Sequence, residues 1–342
     1  MSGIHVRGLG AVSPAGWGVT ALRDALLRNE PLPTVPLNRP GVDEPFRVRP
    51  VPPPDPRPTF LAHPRLRRAS AISQQTVGAA LEALGEDVPA VQSGKLKLRI
   101  IVCLMPGCVT YSRRFFEEVL RDPATASPML FPETVFNAPA SHLAAYLNTN
   151  EASYTLAGDD GTFLQGLALA AGWLQDGSAD GCLVIGAEEM DWIVVDAVRL
   201  FAPKLVQAAG AGALYLRRDA GDKPAVELNC VTDTFSFSAT ESREYAARAM
   251  RRQLPPGGAE ELLCLGTQGS RRQDAAELDA WQDWTGQRFE PKRIFGEAFT
   301  ASAAWLCVAA CDALQRGQFA AANVSVVGAN QQAVGARFVA AD

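Results

Sequence analysis

An α/β fold in five layers, helix on sheet on helix on sheet on helix, is predicted by three features of the sequence. Stretches of strand character alternate with stretches of helical character along the chain, as α/β architectures require. Two helical stretches, the one beginning at Thr162 and the one from Ala298 to Leu314, are apolar on nearly every side. Such a helix is buried in a large protein or in a membrane. Each follows a Gly-containing turn and is bracketed by strands, which implies two duplicated halves, residues 1–190 and 191–342, in one compact unit. Two buried helices then form a central layer with a sheet on either side.

Taken in order, Ile4 to Leu9 reads as a strand, and Gly8 to Gly18 as a glycine-punctuated loop before an amphipathic helix, Val19 to Leu27. Residues 31–64 are crowded with proline and predict a long surface loop draped over the core. A helix is expected from Arg65 to Leu84, with Leu66, Ile72, Val77, Ala80 and Leu84 roughly on one face. Leu98 to Leu104 is an unbroken apolar run, as expected of a strand covered on both faces. A helix carrying Phe115, Phe116, Val119 and Leu120 follows, then a short one near Ala140 to Leu147 with Pro139 at its first position. Past the apolar helix, Cys182 to Ile185 is a strand. The second half repeats the alternation: strand Ala225 to Val231, helix Ser242 to Gln253, strand Glu261 to Leu265, helix Asp274 to Trp284, the second apolar helix, and strand Val324 to Val327.

The stretch Tyr154 to Leu174 is the most telling. A short strand enters the turn Gly158-Asp159-Asp160-Gly161 and then the first apolar helix, so the turn lies deep in the molecule at a helix N-terminus. There, unpaired N–H groups and the helix dipole favour negative charge, a natural seat for a nucleophile. The turn contains no Cys, Ser or His.

Composition narrows the function. A formal net charge of −5 gives no reason to expect nucleic-acid or membrane binding as the main activity. No apolar run is long enough to span a bilayer: Ala298 to Leu314 is flanked by Glu297 and broken by Asp312. The N-terminus lacks a basic region followed by an apolar stretch, so a cytoplasmic location is expected. Seven cysteines, mostly inside apolar runs, suit buried thiols rather than disulfides, and none is spaced as a zinc ligand. No metal site and no cofactor are implied.

In their order the segments resemble the β-ketoacyl-[acyl carrier protein] synthase family of the thiolase fold, over nearly the whole chain. GLGAVSPAGWGVTALRDALL resembles the family's opening strand and loop, RLRRASAISQQTVGAALEAL its first long helix, and MLFPETVFNAPASHLAAYLNTN the segment before its nucleophile. YTLAGDDGT with DGSADGCLVIGAEE is similar to the nucleophile elbow and the strand after it. LLCLGTQGSRRQDAAELDAW and KRIFGEAFTASAAWLCVAACDAL resemble the two segments that supply the family's histidines.

The departures from the pattern fall on the chemistry. By this resemblance Gly158 stands where active synthases have a thiolate Cys, whose charge a helix N-terminus stabilises. Leu265, before the retained Gly266 and Thr267, and Glu297, after Gly296, stand where the family has its two histidines. Leu265 cannot donate a hydrogen bond, and an ionised Glu297 repels an oxyanion. Lys292 matches the Lys of the family's Lys-x-x-x-Gly-His segment, while the glycine-rich C-terminal loop is scarcely recognisable in VVGANQQAVGARF. Shortening between Met190 and Ala225 suggests a trimmed cap or substrate tunnel, with Phe163, Phe295 and Phe299 as tunnel residues or as its filling.

The resemblance therefore implies a degenerate member akin to a chain-length factor. Such a pseudoenzyme pairs with an active ketosynthase in fatty acid or polyketide synthesis, aryl polyenes included, and serves an acyl carrier protein. Its dimer interface would be Glu151, Ala152, Ser153, Tyr154, Thr155 and Leu156. The competing expectation is an acyl transferase or thioester hydrolase that uses Asp159, Asp160 or Glu297. A homodimeric acyl sensor is a third. Set against catalysis, one of Asp159 and Asp160 is expected to cap the helix, and Glu297 to pair with Arg or Lys or to sit at a helix start. Asn330, Gln331 and Gln332 read either as pocket lining or as a polar turn. His142 is expected to be a packing or surface residue rather than a ligand, and the Cys307/Cys311 pair to be core packing rather than a metal site. Arg65/Arg67/Arg68, Arg251/Arg252 and Arg271/Arg272 are either solvated faces or steering charges for the carrier protein.

Overall fold

The computed structural model describes residues 3–221, 225–238 and 240–341. Among the described residues ten strands build two five-stranded sheets of the same design, joined edge to edge into one continuous sheet with the two-residue strands Gly16–Trp17 and Phe235–Ser236. The first holds β1 (His5–Ser13), β2 (Leu98–Leu104), β3 (Ser153–Ala157), β4 (Gly181–Glu188) and β5 (Gly210–Arg217), in the order β3-β2-β4-β5-β1. The second holds β6 (Val226–Val231), β7 (Leu262–Leu265), β8 (Gln287–Phe289), β9 (Ala321–Val327) and β10 (Gln332–Ala340), in the order β8-β7-β9-β10-β6. In each sheet the first three strands run parallel, the next two antiparallel. The sheets meet where His5 of β1 pairs with Glu227 of β6. The duplication expected from the two apolar helices is thus present strand for strand.

The helices that matter for the site are α1 (Val19–Arg28), α2 (Ala71–Leu84), α3 (Val109–Arg121), α4 (Ala138–Tyr146), α5 (Thr162–Gln175), α6 (Trp192–Arg199), α7 (Arg243–Arg252), α8 (Arg271–Ala280), α9 (Pro291–Phe295) and α10 (Phe299–Gln315). α2 and α4 cover the outer face of the first sheet, α7 and α8 that of the second, and α5 and α10 touch both sheets from between. This is the five-layer αβαβα arrangement of the thiolase fold. Burial of α10 is complete from Phe299 to Leu314. α5 departs from the all-round burial expected of it: Gln165, Leu169 and Trp173 are only partly covered. That flank faces the sheet edge, where the Trp173 ring lies 5.0 Å from Tyr154 of β3. Among the described residues no helix is long and apolar enough to cross a membrane.

Several expectations need correction. The proline-rich segment 31–64 is not all loop. Val35–Leu37 and Phe46–Arg49 pair with each other and with Gln207–Ala208 in a small separate sheet, and Thr59–Ala62 forms a 3₁₀ turn. α2 begins at Ala71 rather than Arg65, because Ser70 caps it by accepting the Ser73 N–H. α8 runs from Arg271 to Ala280, three residues ahead of the expected Asp274 start. β5, β8 and β10 were not anticipated. The β5 sequence GAGALYLR lacks β-branched residues for a packing reason: a Cβ on Gly212 would stand 2.7 Å from the Ala304 side chain, and one on Gly186 of β4 2.2 Å from the Thr300 carbonyl. α10 rests on bare backbone there, and the usual strand signal is lost. β5 also lies beyond the expected joint at 190/191. The chain returns to the first sheet through Gly210–Arg217 and crosses to the second only before Val226.

Candidate functional site

The candidate site forms where the two central helices begin. β3 ends at Ala157, and the Gly158 N–H donates to the Leu104 carbonyl of β2 at 3.0 Å, which sets the turn at the C-terminal end of the sheet. α5 starts at Thr162. From the second half, α9 ends at Phe295, and Gly296 (φ 93°) and Glu297 lead into α10. Phe299, the first residue of α10, has φ 45°, a conformation that costs a non-glycine residue of order 1–3 kcal/mol. Its N–H is held by Glu297 Oε1 at 2.8 Å.

Three charged side chains from the two halves meet here in full burial. Lys292 Nζ donates to Asp160 Oδ2 at 2.6 Å and to Glu297 Oε2 at 2.7 Å, and none of the three is more than 3 % exposed. Burial works against the charge on Lys292, yet the two carboxylates outweigh it and lift its pKa above the ordinary value. It is locked as an ammonium and is no nucleophile. Burial raises Glu297 to about 7, with Lys292 pulling down and Asp160 pushing up. One ammonium cannot neutralise two carboxylates, so near neutral pH a proton is shared with Glu297. Among the described residues Asp160 Oδ1 has no hydrogen-bond partner.

The expected helix cap is absent. Among the described residues neither Asp159 nor Asp160 caps α5, which begins after Gly161 without a side-chain cap. Asp159 instead accepts the backbone N–H groups of Asn330, Gln331 and Gln332, at 2.8 Å for Gln331, and so fastens the turn between β9 and β10. Burial, and then Asp160, raise its pKa, which those N–H groups offset in part. Asn330 to Gln332 are thereby accounted for as a turn. A Cβ on Gly158 would stand 2.4 Å from Thr162 Oγ1, a hydroxyl without a partner among the described residues, so a side chain there requires Thr162 to turn.

Gly158, Asp160, Lys292 and Glu297 are brought to one place, but Leu265 is not. Cys264 faces the central layer, and Leu265, one residue on, lies in the outer apolar cluster with Met250, Trp281 and Ala333. Gly266 N–H and Ser325 Oγ donate to buried Glu277, whose pKa burial raises to about 7. Thr267 Oγ1 donates to Glu290 at 2.7 Å. The expected tunnel residues Phe163, Phe295 and Phe299 are buried side chains, with Phe295 edge-on to Trp305 at 5.7 Å.

Sequence reading missed Glu188. It closes the eight-residue buried strand β4, accepts the Met105 and Gly107 N–H groups, and lies 2.9 Å from Thr300 Oγ1. The Thr300 hydroxyl is within donating reach of both the Cys103 carbonyl at 2.8 Å and Glu188, and its single hydrogen serves one of them at a time. Burial raises the Glu188 pKa well above its usual value, against the bonds from Met105, Thr300 and Gly107. The signal was available: an acid closing an apolar strand has to be satisfied internally. Glu189 accepts the Thr110 N–H at the start of α3. His142 bonds Glu133 at 2.6 Å, and all seven cysteines are free. Among the basic groups, Arg251 is used internally, bonding the carbonyls of Leu254, Pro255 and Pro256 and stacking on Trp281, while Arg65, Arg67, Arg68, Arg271 and Arg272 are exposed. Among the described residues no cluster could hold a metal ion.

No known protein-family model and no curated protein matches the sequence. Solved structures do match in shape. The chain is similar to the ishigamide ketosynthase/chain length factor (TM-score 0.81, 16% identity) and to AntDE:AntF, a type II PKS acyl-carrier protein in complex with its ketosynthase (0.76, 16%). It is also similar to a β-ketoacyl synthase from Burkholderia phymatum STM815 (0.78, 14%). Each likeness covers 99% of this chain and 99% of the other. The chain thus has the fold of the ketosynthases and chain length factors.

Proposed function

We propose that the chain is a non-catalytic, chain-length-factor-like subunit that pairs with an active ketosynthase in polyketide or fatty acid synthesis and works with an acyl carrier protein in the cytoplasm. The observation that carries this reading is the filling of the elbow. Gly158 has no side chain, and two residues on Asp160 enters the Lys292–Asp160–Glu297 ion cluster, which is closed to solvent. Neither the turn Gly158 to Gly161 nor the cluster beside it includes a Cys, Ser or His. Aryl polyenes are the finer substrate assignment within this proposal.

The pairing edge is proposed at Glu151 to Leu156. β3 lies at the end of the first sheet, and among the described residues no strand runs beside its outer edge. Its sequence SYTLA contains no charge and no proline, the devices that protect an edge from pairing. The equivalent edge of the second half, β8, is three residues long and carries Arg288. Co-expression with the ketosynthase encoded nearest to it, followed by native mass spectrometry, tests the reading. A one-to-one complex is expected, and a homodimer indifferent to the ketosynthase would refute it.

One observation favours a second reading, acyl transfer or thioester hydrolysis. Glu297, with a pKa near 7, is poised for general acid–base work. If so, the isolated protein turns over acyl thioesters, and Glu297→Gln abolishes that turnover while Lys292 still pairs with Asp160. No turnover by the wild type eliminates it.

A further inference from the structure

The proline run Pro52-Pro53-Pro54 has no part in the elbow. It lines a cleft of about 370 Å³ together with Trp17 and the first turns of α2. α2 covers the outer face of the first sheet and α5 the inner one, so this cleft and the elbow lie on opposite sides of that sheet. Its walls are held in place. The Trp17 indole N–H donates to the Pro52 carbonyl at 3.0 Å, and the ring rests on bare backbone at Gly78, where a Cβ would stand 2.5 Å from it. Each proline fixes its own φ, so little ordering is left for a ligand to impose. A preformed cleft of this size, with apolar walls and a few polar groups, has the character of a small-molecule site.

Two polar groups that line it lack partners. Arg57 is exposed, which places it at the mouth, and among the described residues it makes no ion pair and no hydrogen bond. Gln75 is 7% exposed, which places it at the base, and among the described residues its Oε1 has no hydrogen-bond partner. Its neighbour Gln74 differs, since its amide donates to the Leu66 and Ala69 carbonyls at 2.9 and 3.3 Å. An acceptor left unpaired in burial is costly, and rotation about the last side-chain bond turns it toward the cleft. The complement is therefore an anionic group at the mouth, a flat apolar body along Trp17 and the prolines, and a hydrogen-bond donor at the base. A single guanidinium suits a carboxylate, which it holds by two parallel bonds. A doubly charged phosphate would find half of its charge unmatched.

We propose that this cleft binds a small planar carboxylic acid with a hydroxyl at its far end. Arg57 holds the carboxylate, Trp17 and the prolines pack on the ring, and Gln75 accepts from the hydroxyl. The simplest such molecule is 4-hydroxybenzoate. The site goes beyond the pairing with a ketosynthase and does not depend on it.

The test is titration of 4-hydroxybenzoate into the purified full chain, by calorimetry and ligand-observed NMR. Two relatives are titrated beside it: benzoate, which lacks the hydroxyl, and 4-hydroxybenzamide, which lacks the charge. Saturable one-to-one binding of 4-hydroxybenzoate is expected, with each relative weaker by about tenfold. Arg57→Gln should weaken the acid by about tenfold and leave the amide unchanged. Gln75→Leu should bring 4-hydroxybenzoate down to the level of benzoate. Arg57 is exposed and unpaired, so its variant should melt with the wild type, and comparing ligands within one variant separates lost recognition from lost fold. Absence of saturable binding at millimolar concentrations overturns the proposal. Binding that both variants leave within about threefold of wild type also overturns it, because the acid then sits elsewhere. An amide that binds as tightly as the acid does the same, because the contact is then apolar only. None of these results bears on the pairing with a ketosynthase.

Discussion

Lys292 reaches Asp160 across 132 residues of sequence, and Glu297 across five. The long reach ties the first half to the second at the centre of the molecule, so the cluster works as a joint. Its strength depends on completeness. Lys292→Met leaves two buried carboxyls without a cation, and loss of one partner of a buried ion pair costs about 3–5 kcal/mol. The expected outcome is a lower urea midpoint for Lys292→Met, with much of the loss recovered when Asp160→Asn and Glu297→Gln are added. A single variant as stable as wild type would show that the cluster carries no such weight. At this scale the sequence was partly legible. Glu297 was expected beside a cation or at a helix start, and it is at both. Asp159 and Asp160 were expected as a helix cap, because carboxylates at a helix N-terminus usually are. The competing donors, the N–H groups of Gln331 and Gln332 and the ammonium of Lys292, come from the far half and leave no local trace.

Elements show a similar division. Those with strong apolar periodicity, α1, α5, α10, β2 and β9, could be placed from sequence, since burial imposes the pattern directly. β5 and β10 could not, because Gly210, Gly212 and Gly335 serve close approach of neighbouring elements and dilute the strand signal. The edge strand β3 was legible in position, and the structure adds its contrast with β8. From that contrast, Thr155→Pro removes an N–H and bars ladder pairing, while Tyr154→Lys sets a charge on the open edge. Tyr154→Lys is expected to weaken the ketosynthase complex at least tenfold, with a monomer melting temperature within about 3 °C of wild type. Thr155→Pro should do the same with a larger loss of monomer stability, because β3 also pairs with β2. Unimpaired complex formation by both would move the interface away from this edge.

The molecule as a whole encloses more acid than it neutralises. Glu189, Glu277 and Glu297 are each raised to about 7, Glu188 is raised well above its ordinary value, and burial is the first cause in every case. A carboxyl whose folded pKa lies above its unfolded value of 4.5 binds more protons in the native state between those two limits. Its contribution is complete below pH 4.5 and is lost as pH rises through about 7. Glu133 and Glu261, lowered in the fold, act the opposite way, but only below their ordinary range. Between pH 5 and 7.5 the raised groups therefore prevail, and the protein should become less stable as pH increases. Glu277 is the cleanest probe, since its donors Ser325 and Gly266 belong to the second half and no cation contacts it directly. Urea unfolding at pH 5.5, 6.5 and 7.5 should give a falling midpoint for wild type. In Glu277→Gln, which mimics the protonated form, the fall should be shallower by the share of one group, at about 1.4 kcal/mol per pH unit. A wild-type midpoint that rises over this range, or a variant that runs parallel to it, would mean that these carboxyls are relieved by groups other than the ones that surround them here.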